Sequence, residues 1–143
     1  MTVPPMPGNG EGVGPPPDEE AFRLAEEELE GVPVVRLAGE IDLAAAPTVR
    51  DRLSALALHL AGRGPGGRGV VVVDLGEVTF IDSTGLSMLV AAHGRFAGSG
   101  MELRVASVPA RVRQVLQLTG LDGLLSTYED VPSALRGSRA ERP

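Results

Sequence analysis

The sequence of 143 residues contains no cysteine, no tryptophan and no lysine; all 13 of its basic residues are arginine. Without cysteine there is no disulfide framework, no thiolate nucleophile and no cysteine-based metal site. Two histidines, His59 and His93, are too few for a histidine-rich metal centre. Aromatic side chains are scarce, three Phe and one Tyr, so a core has to be built from aliphatic residues. No apolar run approaches the roughly 18 to 20 residues that span a bilayer. A surplus of positive charge is missing too. The formal net charge of -6 argues against a nucleic-acid binder, which needs a basic footprint to release counterions. The amino terminus, MTVPPMPGNGEGVGPPPDEE, has neither the basic region nor the apolar segment of a secretory signal. The expectation is a soluble, cytoplasmic protein with no direct nucleic-acid partner and no membrane partner.

Ten of the first 17 residues are Pro or Gly, and half of the protein's 12 prolines lie there. Such a stretch cannot bury enough surface to offset its ordering entropy. Residues 1–18 are therefore expected to be a disordered tail, and residues 137–143, GSRAERP, a second one. Residues 19–136 remain as one domain. Within it, AFRLAEEELEGVPVVRLAGEID reads as two strands joined by a turn at Glu30 to Pro33, with Phe22 and Leu24 alternating with polar neighbours. In APTVRDRLSALALHLAG, Pro47 suits a first helical turn, while Val49, Leu53, Leu56 and Leu60 recur at helical spacing. Gly62 closes this helix. GRGPGGRG is a loop.

Val70 to Leu75 is apolar on both faces, as central parallel strands are. From Gly85 to about Ala97, the residues Leu86, Leu89, Val90, His93 and Ala97 form a helical stripe. MELRVAS alternates as a strand. PARVRQVLQLTG reads as a helix from Pro109 to Gly120, with Val112, Val115 and Leu116 on one face. LLSTYED is a short last strand and VPSALRG a final helical turn or two. The order β-β-α-β-α-β-α-β-α predicts a mixed, mostly parallel sheet with helices packed on it.

The stretch that carries chemistry is VVVVDLGEVTFIDSTGL, Val70 to Leu86. Its plainest reading is local: Asp, Ser and Thr are preferred N-caps, and DSTG before a helical stripe starts a helix. An aspartic-protease reading fails, because Asp82 is separated from Thr84-Gly85 by Ser83 and that chemistry needs two carboxylates sharing a proton. A phospho-receiver with Asp74 as acceptor fails as well. It requires an acidic pair after the first strand and a lysine, and the chain has no lysine and opens with two paired strands. GRGPGGRG follows a helix and precedes a strand, whereas a phosphate-binding loop does the reverse and ends in Gly-Lys-Ser/Thr. A nucleophilic Ser83 would require a base, yet neither histidine stands in a recognisable relation to it, and there is no GxSxG elbow. His93 reads as partly buried packing or a helix hydrogen bond, and His59 as exposed.

Taken in order, LAGEIDLAAAPTVRDRL, VVVVDLGEVTFIDSTGLSMLVAAHGRF and MELRVASVPARVRQVLQLTGLDGLLSTYEDVPSAL resemble a STAS domain. More narrowly, they are similar to the single-domain anti-sigma factor antagonists of bacteria. The resemblance spans about Phe22 to Leu135 and implies an α/β fold, the STAS fold, with a mixed, mostly parallel sheet of about five strands and about four helices. It implies a regulator, not an enzyme, with no cofactor and no metal. In that family the first hydroxyl after the Asp of DS[ST]G is phosphorylated by the partner anti-sigma factor, an ATP-dependent serine kinase, and a protein serine phosphatase reverses it. Carried over, Ser83 is the phosphoacceptor and Asp82 the acid that docks or orients it. Gly85 allows close backbone approach at the helix start, and Asp42 contributes to kinase contact from the end of the second strand. Glu40 and Thr84 join the same patch. Where many members have Gly, this chain has Ser87, on the presumed contact helix. With Ser83 as cap of that helix, a phosphate is expected to leave the fold intact and to act on partner binding. One alternative is a STAS interaction module that is never phosphorylated; the other, an enzyme, is disfavoured because no acid/base pair, metal set or nucleophile with a base can be assembled.

Overall fold

The computed structural model of the protein describes residues 21–137. The expected tail 1–18 lies outside the described residues, and of 137–143 only Gly137 lies within them. The chain forms β1 (Arg23–Leu29), β2 (Val32–Ile41), α1 (Ala46–His59), β3 (Val70–Ile81), α2 (Ser83–Gly98), β4 (Glu102–Ala106), α3 (Ala110–Thr119), a 3-10 turn (Asp122–Leu124), β5 (Ser126–Tyr128) and α4 (Val131–Arg136). The five strands lie side by side in sequence order. β1 and β2 are antiparallel, and every later pairing is parallel. This is the mixed, mostly parallel sheet with four helices that the sequence predicts.

Several boundaries differ from the expectation, each for a local reason. The β1–β2 turn is tighter than Glu30 to Pro33: Glu30 and Gly31 both have positive φ, 55° and 79°, and Val32 already pairs with Leu29. Such a two-residue turn matches the twist of the flanking strands. Helix α1 stops at His59, with Leu60 at its C-cap, so Gly62 lies beyond it in the turn. Along α2 the stripe is shifted. Phe96, not Ala97, takes the last buried position, while Val90 and His93 are half-buried.

The largest difference is in β3, which continues six residues past Leu75 to Ile81. Arg36 pairs with Asp74 and Ala38 with Glu77; Gly39 pairs with Val78 and Glu40 with Phe80. Twice, therefore, β3 advances one residue more than β2, which is the signature of β-bulges. The polar residues Gly76, Glu77 and Thr79 are tolerated because the bulges turn them outward. Gly39, between the two irregularities, has φ 82°, a conformation that a side chain disfavours.

The sheet has two unlike faces. On one, Val35, Leu37, Ile41, Val71, Val73, Leu75, Leu103 and Val105 pack against Leu53 of α1, Leu89 and Phe96 of α2, and Leu116 of α3. On the other, α4 covers only Val32, Val34, Val70, Val72, Ala106 and Tyr128. The core is aliphatic, as the shortage of aromatics requires, with Phe96 and Tyr128 its buried rings. The uncovered half of the second face carries Arg36 between Glu27 and Asp74, at 2.5 Å from each carboxylate. Hydrogen bonding to Glu27, with help from Asp74, holds the Arg36 guanidinium pKa above its ordinary value. Among the described residues, no helix is long and apolar enough to cross a membrane.

Candidate functional site

β2 and β3 end together. Ile41 and Ile81 are paired, and the next residue of each strand is an aspartate, Asp42 and Asp82. The Asp82 N–H donates to the Ile41 carbonyl at 3.2 Å, tying the start of α2 to the end of β2. That bond holds Asp82 extended, with φ -97° and ψ -176°, so that its carboxylate turns onto the helix. Asp82 Oδ1 accepts from the Gly85 N–H at 2.9 Å, and its carbonyl accepts from Leu86 at 2.9 Å. Asp82 is therefore the N-cap of α2, and Ser83 is the first helical residue. The expectation that Ser83 itself caps the helix is corrected here: both are good caps, and the strand-end bond selects Asp82.

Asp42 does similar work one strand away. Its Oδ1 accepts from the N–H groups of Ala44 at 3.1 Å and Ala45 at 3.0 Å, and its carbonyl accepts from Ala46 at 2.9 Å. The two carboxylates are held by backbone donors at the same end of the sheet.

Gly85 is buried where α2 meets β2. A Cβ placed on it would lie 2.6 Å from the Ile41 carbonyl oxygen and 2.8 Å from Ile81 Cγ1. Contacts under about 3 Å do not occur, so only glycine lets the helix start this close to the strand. Ser83 projects into solvent beside this tight junction, and Thr84 is half-buried. Ser87 is exposed one turn further along, and Glu40, half-buried, sits in register with Phe80. The structure thus gathers Asp42, Asp82, Ser83, Thr84 and Gly85 at one point, with Glu40 and Ser87 flanking it. This point lies at the C-terminal end of two interior strands, not along the lateral edge of the sheet.

The other candidate chemistries have other partners. His93 Nε2 lies 3.0 Å from Ser126 Oγ, ten residues along α2 from Ser83, which is about 15 Å of helix. His59 is exposed at the far end of α1. Asp74, the acid of a hypothetical receiver site, is bound by Arg36 and by the Gly76 N–H at 2.9 Å. No group of three or more His, Cys, Asp or Glu among the described residues is arranged to hold a metal ion. Sequence reasoning missed two neighbours of Ser83: Leu43 and Phe80, both exposed. The bulges hide Phe80, because the extra residues break the regular alternation after Leu75 although β3 runs on to Ile81.

The comparisons agree with this architecture. The STAS domain family signature matches residues 23–134. The anti-sigma-F factor antagonist RsfB of Mycobacterium tuberculosis is 30% identical over 115 residues, covering 78% of this chain and 88% of its own length. An anti-sigma-B factor antagonist of Listeria monocytogenes is 30% identical over 105 residues, covering 73% of this chain and 84% of that protein. Among solved structures, an anti-sigma factor antagonist from Mycobacterium paratuberculosis superposes with a TM-score of 0.71 at 28% identity, covering 86% of this chain and 98% of that one. The chain belongs to the STAS domain family, alongside the anti-sigma factor antagonists.

Proposed function

We propose that this protein is a partner-switching anti-sigma factor antagonist. Unmodified, it binds an anti-sigma factor that is also a serine kinase and so releases the sigma factor. Phosphorylated on Ser83, it lets go, and a protein serine phosphatase resets it. The observation that carries this reading is the exposed Ser83 hydroxyl at the first position of α2, beside the carboxylates of Asp82 and Asp42, which are engaged by backbone N–H groups, and away from His93, which lies against Ser126. Such a hydroxyl is a substrate for another protein's chemistry rather than a nucleophile of its own. Asp82, Thr84 and Gly85 fix its position, and Asp42, Glu40 and Ser87 provide the contact rim.

Magnitudes explain why modification acts on binding and spares the fold. A phosphate adds about -1.5 to -2 charges. In the free protein it sits in water, where two like charges 4 Å apart repel by about 1 kcal/mol. The positive end of α2 returns about 0.3 to 1 kcal/mol of that. A partner seated over the patch removes the water, and at an effective dielectric near 20 the same pair costs about 4 kcal/mol. The difference, about 3 kcal/mol, weakens binding by about two orders of magnitude.

The test is intact mass and phosphopeptide mapping after incubation with ATP and the candidate anti-sigma kinase. A single added phosphate in the wild type that is missing from Ser83→Ala supports the switch. An active, correctly paired kinase that binds the protein yet adds no phosphate leaves the unmodified STAS interaction module in its place.

A further inference from the structure

The five most exposed large apolar side chains among the described residues are Leu43, Leu58, Phe80, Leu118 and Leu124. Two of them, Leu43 and Phe80, stand at the Ser83 end of the sheet. Leu43 is 70% exposed and follows Asp42 directly. Its backbone is not a loose loop: the Asp42 carboxylate holds the two N–H groups that follow it, those of Ala44 and Ala45. Phe80 is 47% exposed, one residue before Ile81, and paired with Glu40. It lies on the half of the second sheet face that α4 leaves uncovered. Both side chains are therefore presented to water from positions fixed by the fold, Leu43 next to Asp42 and Phe80 three residues before Ser83.

Their surroundings are acidic. Glu40, Asp42, Glu77 and Asp82 lie between and around them, and Asp42, Glu77 and Asp82 form no ion pair with another described residue. Ala21 and Phe22 line a hollow with Glu40, Asp42, Ala44, Ala45 and Thr48. Arg23 and Arg36 line a hollow with Glu77, but around Asp42, Glu40 and Asp82 the rim is acidic. Two apolar anchors beside such a rim have the anatomy of a protein interface, in which a few buried side chains carry the energy and a polar rim sets specificity.

We propose that Phe80 and Leu43 are the apolar anchors of the interface with the anti-sigma kinase, seating in an apolar pocket of that partner bordered by Lys and Arg. The inference rests on the proposed function and names what the partner must offer. Charge complementarity selects this occupant: a second copy of the chain would bring the same acids face to face, whereas a basic rim is attracted. Modified Ser83 carries its phosphate at the same end of the sheet as both anchors, so a partner that covers all three has to dry the phosphate as the anchors seat.

The test is the binding kinetics of the full-length protein with the candidate anti-sigma kinase. The variants are Leu43→Ser, Phe80→Ser and Phe80→Leu, with Leu58→Ser as control. Leu58 is 80% exposed but lies near the far end of α1, about 18 Å along the helix. Leu43→Ser and Phe80→Ser are expected to weaken binding at least tenfold each, mainly through faster dissociation. Phe80→Leu should recover most of the loss, and Leu58→Ser should change nothing. Association should slow as salt is raised, the mark of a charged rim. Wild-type binding with Leu43→Ser and Phe80→Ser unchanged overturns the inference and leaves the proposed function standing. A wild type that neither binds the kinase nor is phosphorylated by it removes both. Melting curves of the variants separate a lost contact from a lost fold.

Discussion

Gly85 shows how tightly a single residue controls this site. In a helix, replacing Gly by Ala normally stabilises by up to about 1 kcal/mol, because the glycine backbone loses more freedom on folding. At Gly94, also within α2, an added Cβ meets nothing within 4 Å, so Gly94→Ala should follow that rule. Gly85→Ala should do the opposite. Its Cβ meets the Ile41 carbonyl at 2.6 Å, a backbone atom that cannot swing aside, and overpacking of this kind costs about 1 to 3 kcal/mol. The two substitutions should therefore shift the urea midpoint in opposite directions, with Gly85→Ala the lower. A Gly85→Ala variant as stable as Gly94→Ala would mean that α2 has room to move away from β2. Much of the junction was legible because it is contiguous. Asp82, Ser83, Thr84 and Gly85 announce a helix start from their own chemistry, and the resemblance to the STAS family adds that Gly85 marks a close approach. What the sequence could not decide is which side chain takes the cap, because that depends on the bond from the Asp82 N–H to Ile41, 41 residues upstream.

At the scale of elements, the helices were readable from their periodicity, the face of α2 only in part, and the strand that mattered most is longer than its apolar run. The apolar run Val70 to Leu75 is a strong signal, but the bulged continuation to Ile81 alternates irregularly, so neither the strand nor exposed Phe80 stood out. Irregular register is a property of a pair of strands and is not written in either one alone. Helix α4 offers a test of a local signal. Asp130 caps it, accepting from the Ser133 N–H at 2.8 Å. That backbone hydrogen bond, aided by the Ser133 side chain, holds the Asp130 carboxyl pKa below the ordinary aspartate range. A carboxyl that is more acidic folded than unfolded contributes stability that is complete above the unfolded value, near pH 4. This contribution is lost as the pH falls through the lower, folded value. Asp130→Asn keeps a cap that does not titrate. Urea midpoints measured at neutral pH and at about pH 3 should therefore fall less for Asp130→Asn than for the wild type. Equal falls would show that protonation of Asp130 is not coupled to folding.

Across the whole molecule, the packing and the proposed signalling use different ends and faces of one sheet. Three helices seal the first face and α4 seals part of the second. The C-terminal ends of β2 and β3 then carry Ser83 without any core side chain depending on its hydroxyl. This separation makes a strong demand on the variant Ser83→Asp. An exposed helical position at an N-terminal turn accepts a carboxylate well, so its stability should stay within about 0.5 kcal/mol of wild type. Binding to the anti-sigma kinase should nevertheless weaken. Aspartate brings one negative charge where a phosphate brings about -1.5 to -2. The loss should accordingly be smaller than the two orders of magnitude argued for the phosphate, about tenfold, or about 1.4 kcal/mol. Because the penalty arises from charges dried at an interface, it should persist in salt that screens the free surface. Calorimetric binding at low and high ionic strength, beside thermal melts of the same samples, reads both halves of the argument. A melt that falls along with the affinity would place Ser83 in the stability of the fold. An unchanged affinity would mean that the partner does not cover Ser83 at all.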